Sequence, residues 1–106
     1  MTKIIAEIGV NHNGNLKQAF RLVKLAKLAG VDYVKFQIYD TDLLVTKYAK
    51  KSKYQKLNNK DHTNQYQMLK KLELSYEEHR KIFNYCKKIN IEYCASPFDN
   101  QSLKFL

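Results

Sequence analysis

The sequence predicts an α/β fold, specifically the first three βα units of a TIM (β/α)8 barrel. Three short apolar runs rich in β-branched residues each precede a segment with helical spacing, so the order is βα, βα, βα. Such alternation is typical of parallel strands joined by right-handed helical crossovers. Because eight units require about 250 residues, we expect the 106 residues to form a truncated barrel.

The first unit combines a short strand with a clearly amphipathic helix. Ile4–Val10 is an apolar run interrupted by Glu7, and the turn cluster Asn11–Gly14 follows it. Asn15 is expected to cap the helix, and Gly30 to end it in a left-handed conformation. The residues at helical spacing, which predict the buried stripe, are Leu16, Ala19, Phe20, Val23 and Ala26.

The second unit contains a strand followed by a long polar stretch. Val31–Ile38 is rich in valine, isoleucine and aromatic residues, which favours a strand. Residues 39–64 show no clear periodicity and are expected to form a loop. A loop of that length in a compact domain usually indicates function or disorder. Gln65–Lys71 is predicted to be a short helix.

The third unit begins with a capping box formed by Ser75 and Glu78. The helix that follows is predicted to reach Ile89, with a buried stripe of Ile82, Phe83, Cys86 and Ile89 and with His79 at its margin. Ile91–Ala95 is the third predicted strand, and the next three residues are expected to turn away from it. Asp99 can cap one further helix.

Polar and apolar residues alternate along the second predicted strand, with Tyr33, Lys35 and Gln37 on one face. A central strand of an open sheet covered by helices on both faces would be apolar throughout. In a barrel the same positions point into the mouth at the carboxyl ends of the strands, where active sites lie. We therefore expect Glu7, Lys35, Gln37 and Ser96 to surround one opening.

The residues alone leave structural alternatives open. Glu7 and Lys35 could be an ion pair between neighbouring strands, and Gln37 could complete hydrogen bonds at a strand end. Ser96, and likewise the cluster Asn11–Asn13, could be turn formers.

The net charge of +9 raises the hypothesis of nucleic-acid binding. The densest basic patch is Lys47–Lys56, with Tyr48 and Tyr54 interleaved. The remaining lysines are spread along helix faces and no nucleic-acid motif accompanies them, so solvation of the surface is the favoured interpretation.

Cysteine and histidine usage predicts neither a disulfide framework nor a metal centre within these residues. Cys86 and Cys94 fall in a helix and a strand and are interpreted as reduced packing residues. His12, His62 and His79 are scattered, whereas zinc requires about four clustered ligands. His62 and His79 are interpreted as packing or solvent-facing residues.

Neither a membrane span nor a signal peptide is predicted. No run of about 18 apolar residues occurs, and the amino-terminal apolar run is too short for a signal peptide. A cytoplasmic location without membrane partners is therefore expected.

Four segments of the chain carry a family resemblance. They are IAEIGVNHNG (Ile5–Gly14), AGVDYVKFQ (Ala29–Gln37), YQMLKKLELS (Tyr66–Ser75) and ASPFD (Ala95–Asp99). In this order they resemble the N-acetylneuraminate synthase family, which includes the legionaminic and pseudaminic acid synthases. The resemblance covers nearly the whole chain and is nearer to the neuraminate and legionaminate branches than to the pseudaminate branch.

The resemblance implies a carbon–carbon bond-forming transferase of sialic acid biosynthesis. Family members condense phosphoenolpyruvate with open-chain N-acetylmannosamine or a related N-acylated sugar, releasing phosphate and forming a nine-carbon 2-keto acid. It also implies a divalent metal, Mn²⁺ or Mg²⁺, whose histidine ligands lie outside this chain, and a homodimer when the enzyme is complete. Residues 1–106 would be the amino-terminal barrel fragment, inactive alone, without the rest of the barrel and the antifreeze-like domain.

The resemblance also implies roles for individual residues. Lys35 matches the lysine that contacts phosphoenolpyruvate, and Ser96 stands where the family has a hydroxyl near that substrate. Gln37 matches the glutamine that hydrogen-bonds the sugar, and Asn64 stands near the position of a sugar-contacting asparagine. Glu7 matches the acid that could orient Lys35 or the reacting groups, so Glu7 and Lys35 are the catalytic candidates.

Two hypotheses from other classes remain beside the enzyme. One is a basic nucleic-acid-binding module carried by Lys47–Lys56, which would bind less tightly as salt rises. The other is a standalone open α/β regulatory domain, which would unfold cooperatively as an isolated piece.

Overall fold

The computed structural model describes residues 2–44 and 60–106, and for residues 60–64 it describes the backbone alone. The elements in chain order are β1 (Ile5–Gly9), α1 (Leu16–Leu28), β2 (Tyr33–Ile38), α2 (Lys60–Leu72), α3 (Tyr76–Lys88), β3 (Glu92–Pro97) and α4 (Asn100–Phe105). The three strands form a parallel sheet in the order β1-β2-β3. The predicted α/β architecture with parallel strands is therefore confirmed.

The core lies on one face of this sheet. Val34, Phe36 and Ile38 of β2 are completely buried, whereas the residues between them are only half-buried. Helices α1 and α3 contribute to the same core cluster, through Ala19, Val23, Ala26, Ile82 and Cys86. The alternation along β2 thus separates a helix-covered face from a second, polar face.

The predicted helix caps are confirmed. The Asn15 side chain accepts a hydrogen bond from the Gln18 amide, and Ser75 and Glu78 form a reciprocal capping box. Gly30 follows the end of α1 at φ 86°, and Asn90 takes the equivalent place after α3 at φ 63°. In both cases the left-handed residue lets the chain return its amides to the last helical carbonyls.

The polar stretch after β2 contains more helix than the sequence predicted. Residues 41–44 are helical, and α2 begins at Lys60, before the predicted start at Gln65. The first turns of α2 are polar and carry no apolar stripe, which removes the signal on which the prediction depended. Residues 45–59, and with them Lys47–Lys56, lie outside the described part of the chain.

The third strand is also longer than predicted, because it includes Ser96 and Pro97. Ser96 pairs with Gln37, and the Phe98 amide donates to the carbonyl of Ile38 at 3.1 Å. The pairing with β2 therefore passes Pro97 without requiring an amide hydrogen from it.

The predicted buried stripe of α3 is wrong at two positions. Phe83 is 43% exposed, whereas His79 is buried in the core with 1% exposure. The residues that face the core are His79, Ile82 and Cys86. Burial of the imidazole is tolerated because its Nδ1 lies 2.8 Å from the hydroxyl of Tyr93, which supplies a hydrogen-bond partner.

Substitution of Gly14 tests the packing of the turn after β1 against α2. A Cβ at Gly14 would overlap the backbone carbonyl oxygen of Lys71, and φ is +72°. At Gly30, φ is +86° but nothing lies within 4 Å of the added Cβ. We expect Gly30→Ala to cost about 1–2 kcal/mol from conformation alone, and Gly14→Ala to cost about 1–3 kcal/mol more from overlap.

The measurement is urea unfolding of the two purified variants and the wild type. Equal losses of unfolding free energy in Gly14→Ala and Gly30→Ala would show that the contact with Lys71 is not made.

A second prediction concerns the buried imidazoles. Burial lowers the pKa of His79 to about 4, with a smaller lowering by His12 and an opposing effect of Glu78. Burial also lowers the pKa of His12. Because the unfolded chain binds protons near pH 6.5 and the folded chain does not, stability falls as pH drops below 6.5.

For His79 alone the loss between pH 7.5 and pH 5 is expected to be about 2 kcal/mol. Urea unfolding between pH 7.5 and 5, above the range where ordinary carboxylates titrate, measures it. The variant His79→Gln removes the titrating group and is expected to flatten the slope. An unchanged slope in that variant would contradict the assignment.

Candidate active site

The strand register brings four of the predicted site residues together. Glu7 of β1 pairs with Lys35 of β2, and Gln37 of β2 pairs with Ser96 of β3. All four stand on the face of the sheet opposite the helix-covered one. Gln37 and Ser96 lie near the carboxyl ends of their strands, and Glu7 and Lys35 lie in the middle of theirs. The register therefore places these four residues on one face of the sheet, and their arrangement around one opening stays a prediction.

Glu7 and Lys35 form an ion pair across β1 and β2. The Nζ of Lys35 lies 3.5 Å from Oε2 of Glu7, and the two side chains are 40% and 50% exposed, respectively. Solvent screens a pair of this kind, so its contribution to stability is about 0–1 kcal/mol. The ammonium of Lys35 has three donor hydrogens, and one carboxylate at this distance leaves it able to bind an anion.

Gly9 opens space between the side chains of Glu7 and Gln37. A Cβ at this position would lie 3.2 Å from Oε1 of Glu7 and 3.8 Å from Nε2 of Gln37. The backbone has φ +57°, and the register with β2 shifts between Glu7 and Gly9. The two polar side chains therefore converge above a residue without a side chain. Gly9 was not among the predicted site residues, although glycine at a strand end is a signal of close approach.

Cys94 is the second residue of this face that the sequence analysis missed. It pairs with Lys35 and lies beside the Glu7–Lys35 ion pair. Burial raises the pKa of the Cys94 thiol, an effect that Lys35 opposes and Glu7 reinforces. The thiol is therefore neutral at pH 7 and is a poor nucleophile. Cys94 and its neighbours Tyr93 and Ala95 are all residues that commonly pack in a core, so no alternation of polar and apolar residues marked the face of Cys94.

The chain that leaves β2 is fixed against the carboxyl end of α2. Glu73 accepts hydrogen bonds through Oε1 from the amide and the hydroxyl of Thr41, at 2.7 and 2.9 Å. The hydroxyl of Tyr39 donates to the carbonyl of Leu69 at 2.8 Å. Burial, with a smaller effect of Glu73, raises the pKa of Tyr39 to about 12, so its hydroxyl remains a donor. The backbone that follows Gln37 is thereby held in place.

The fifth predicted site residue, Asn64, cannot be placed relative to these four side chains. Asn64 lies in α2 within the turns whose side chains are outside the description. His12 and His79 are buried in the core. Among the described residues no three histidine, cysteine, aspartate or glutamate side chains form a group that could hold a metal ion. Within residues 2–44 and 60–106 no helix is long and apolar enough to cross a bilayer.

Comparison with known proteins identifies the family. A sequence model of the NeuB family matches residues 22–106, and the chain belongs to this family. It is 48% identical over 103 residues to the N,N'-diacetyllegionaminic acid synthase of Legionella pneumophila, covering 97% of this chain and 29% of that protein. It is 34% identical over 103 residues to a pseudaminic acid synthase of Campylobacter jejuni, covering 97% and 30%.

A solved structure has the same fold. The N-acetylneuraminic acid synthetase of Leptospira borgpetersenii, crystallised with citrate, matches with a TM-score of 0.76 at 28% identity, covering 97% of this chain and 31% of that one. The fold is therefore an α/β arrangement with a small parallel sheet like that of sialic acid synthase structures. The chain spans less than a third of these relatives.

Substitution of Glu7 and Lys35 tests whether their ion pair stabilises the fold. Because both side chains are about half exposed, Glu7→Gln and Lys35→Met are each expected to change the unfolding free energy by less than about 1 kcal/mol. Urea unfolding of the two variants and of the double variant measures both the single effects and their coupling. A coupling of several kcal/mol would instead support a structural ion pair.

Proposed function

We propose that this chain forms part of the active site of an enzyme that condenses phosphoenolpyruvate with an N-acylated sugar. Carbon 3 of phosphoenolpyruvate forms a bond to the aldehyde carbon of N-acetylmannosamine or a related sugar. Water adds at carbon 2 and phosphate leaves, giving a nine-carbon 2-keto acid. The observation that carries the proposal is the half-exposed side chain of Lys35 on the polar face of β2, in a chain of the NeuB family.

Lys35 is proposed to bind phosphoenolpyruvate. Its ammonium lies on the polar face, and Ser96 adds a hydroxyl two register positions further toward the carboxyl end. A cation and a hydroxyl donor fit a substrate that carries a carboxylate and a phosphate. Such fixed donors act most strongly where water is excluded and charge develops during reaction.

Gln37 is proposed to contact the sugar, and Glu7 is proposed to orient Lys35. The Gln37 amide can donate to and accept from hydroxyl groups, which suits a sugar. Glu7 orients the ammonium of Lys35 through the ion pair and presents its other oxygen toward Gly9. The convergence of Glu7 and Gln37 above Gly9 supports a shared role at the reacting aldehyde.

The complete enzyme is proposed to need more than these residues. Residues 1–106 are proposed as the first three units of a barrel, inactive alone, and the rest of the barrel and the antifreeze-like domain are proposed to lie in further sequence. No group of three histidine, cysteine, aspartate or glutamate side chains that could hold a metal ion occurs among the described residues, and ligands for Mn²⁺ or Mg²⁺ are proposed to lie in that further sequence. The homodimer and the cytoplasmic location also remain predictions.

Phosphate release tests this proposal. The complete gene product is incubated with phosphoenolpyruvate and Mn²⁺, with and without N-acetylmannosamine, and diacetylated sugars are tried next. Sugar-dependent release is expected, and Lys35→Ala should lower it by about 100-fold or more. Lys24→Ala, a lysine on the exposed surface of α1, is the matched control and should retain wild-type activity.

Release that needs no sugar, or that survives in Lys35→Ala, would contradict the assignment. Steep salt dependence of nucleic-acid binding that persists in Lys35→Ala would favour the basic module instead.

A further inference from the structure

The backbones that leave β2 and β3 are joined beyond the end of the sheet. The amide of Asp40 donates to Oδ2 of Asp99 at 2.8 Å. Between this bond and the ladder, the Phe98 amide donates to the carbonyl of Ile38 at 3.1 Å. The two exits therefore run together past the last paired residues of the strands.

The Asp99 carboxylate also caps α4. Its Oδ1 accepts from the amide of Ser102 at 2.7 Å, and its Oδ2 accepts from the hydroxyl of Ser102 at 3.0 Å. Ser102 is completely buried, and its hydroxyl lies 2.8 Å from that of Tyr76 in α3. One carboxylate thus fixes the exit of β2, the start of α4 and, through Ser102, the first turn of α3.

The bond between Asp40 and Asp99 lies equally far along the two chain segments from the candidate substrate contacts. Asp40 follows Gln37 by three residues, and Asp99 follows Ser96 by three residues. Gln37 and Ser96 are themselves a pair in the β2–β3 ladder. The two exits are therefore segments of equal length, paired at the base by the ladder and tied at the tip by the Asp99 carboxylate.

We propose that Asp99 is a positioning residue that fixes the spacing of Gln37 and Ser96 across the mouth of the site. This inference rests on the proposed function, in which the two side chains contact the two substrates of one condensation. A carbon–carbon bond forms only when both reactants are aligned, and a displacement of about 1 Å can cost about 100-fold in rate. Asp99 itself touches neither substrate.

The chemistry of the site requires two acceptor oxygens. Asp99 receives backbone amide hydrogens at both of its oxygens, from Ser102 at one and from Asp40 at the other. An asparagine has the same shape but a single acceptor oxygen, so it can satisfy one amide and must oppose the other with its own donor. Asparagine is an equally good helix cap, so it keeps the start of α4 while it breaks the bond to Asp40.

The test compares Asp99→Asn with Ser102→Ala in the complete gene product. Ser102→Ala removes the hydroxyl donor but leaves both amide bonds to Asp99, and is the matched control. We expect Asp99→Asn to lower kcat/KM by about 10- to 100-fold, with a melting temperature close to that of the wild type, and Ser102→Ala to keep kcat/KM. Wild-type kcat/KM in Asp99→Asn, or an equal loss in Ser102→Ala, would overturn the proposal.

Amide hydrogen exchange separates this inference from the proposed function. Faster exchange is expected in peptides that contain Asp40 in Asp99→Asn but not in Ser102→Ala, whether or not the wild type releases phosphate. Absence of phosphate release in the wild type would contradict the proposed function, and unchanged exchange in Asp99→Asn would contradict the tie itself. If Asp99→Asn does not fold, Asp99→Ser, which caps a helix but has no second acceptor, replaces it in both measurements.

Discussion

The pairing of β2 between β1 and β3 is the constraint on which the rest of this structure depends. Side chains alternate along a strand, so a register shift by one residue would exchange the two faces. Such a shift would place Lys35 under the helices and Phe36 in the polar opening. An unpaired buried charge costs several kcal/mol. The apolar residues of β2 therefore fix the place of the polar ones.

Phe36 extends this constraint to the turn after β1. Its ring stacks with His12 at 6.0 Å and with Tyr93 at 5.6 Å, and His79 meets it edge-on at 6.1 Å. His12 in turn accepts the amide hydrogen of Gly14 at its Nδ1. The loop at the carboxyl end of β1 is thus connected to the core through a neutral imidazole, whose pKa is lowered by burial.

Patterns that act over a few residues predicted most of the fold. Helix caps and strand alternation follow from local spacing, and the shared face of Glu7, Lys35, Gln37 and Ser96 follows from that alternation together with parallel pairing of the strands. The start of α2 could not be predicted because its first turns are polar and carry no apolar stripe. The burial of His79 and the place of Cys94 could not be predicted because their environment is set by contacts between distant segments. The bond from Asp40 to Asp99, which spans 59 residues, has no local signal at all.

The structure also separates the groups that give positional precision from those proposed to bind substrates. Glu7 and Lys35 are half exposed, so their attraction is screened and contributes little to folding. Either group can therefore release the other and bind a ligand in its place. Positional precision comes instead from backbone pairing and from the partly buried hydrogen bonds of Asp99. A charged group can bind an anion in this arrangement without the fold depending on that charge, because the fold is held by bonds that the proposed reaction does not use.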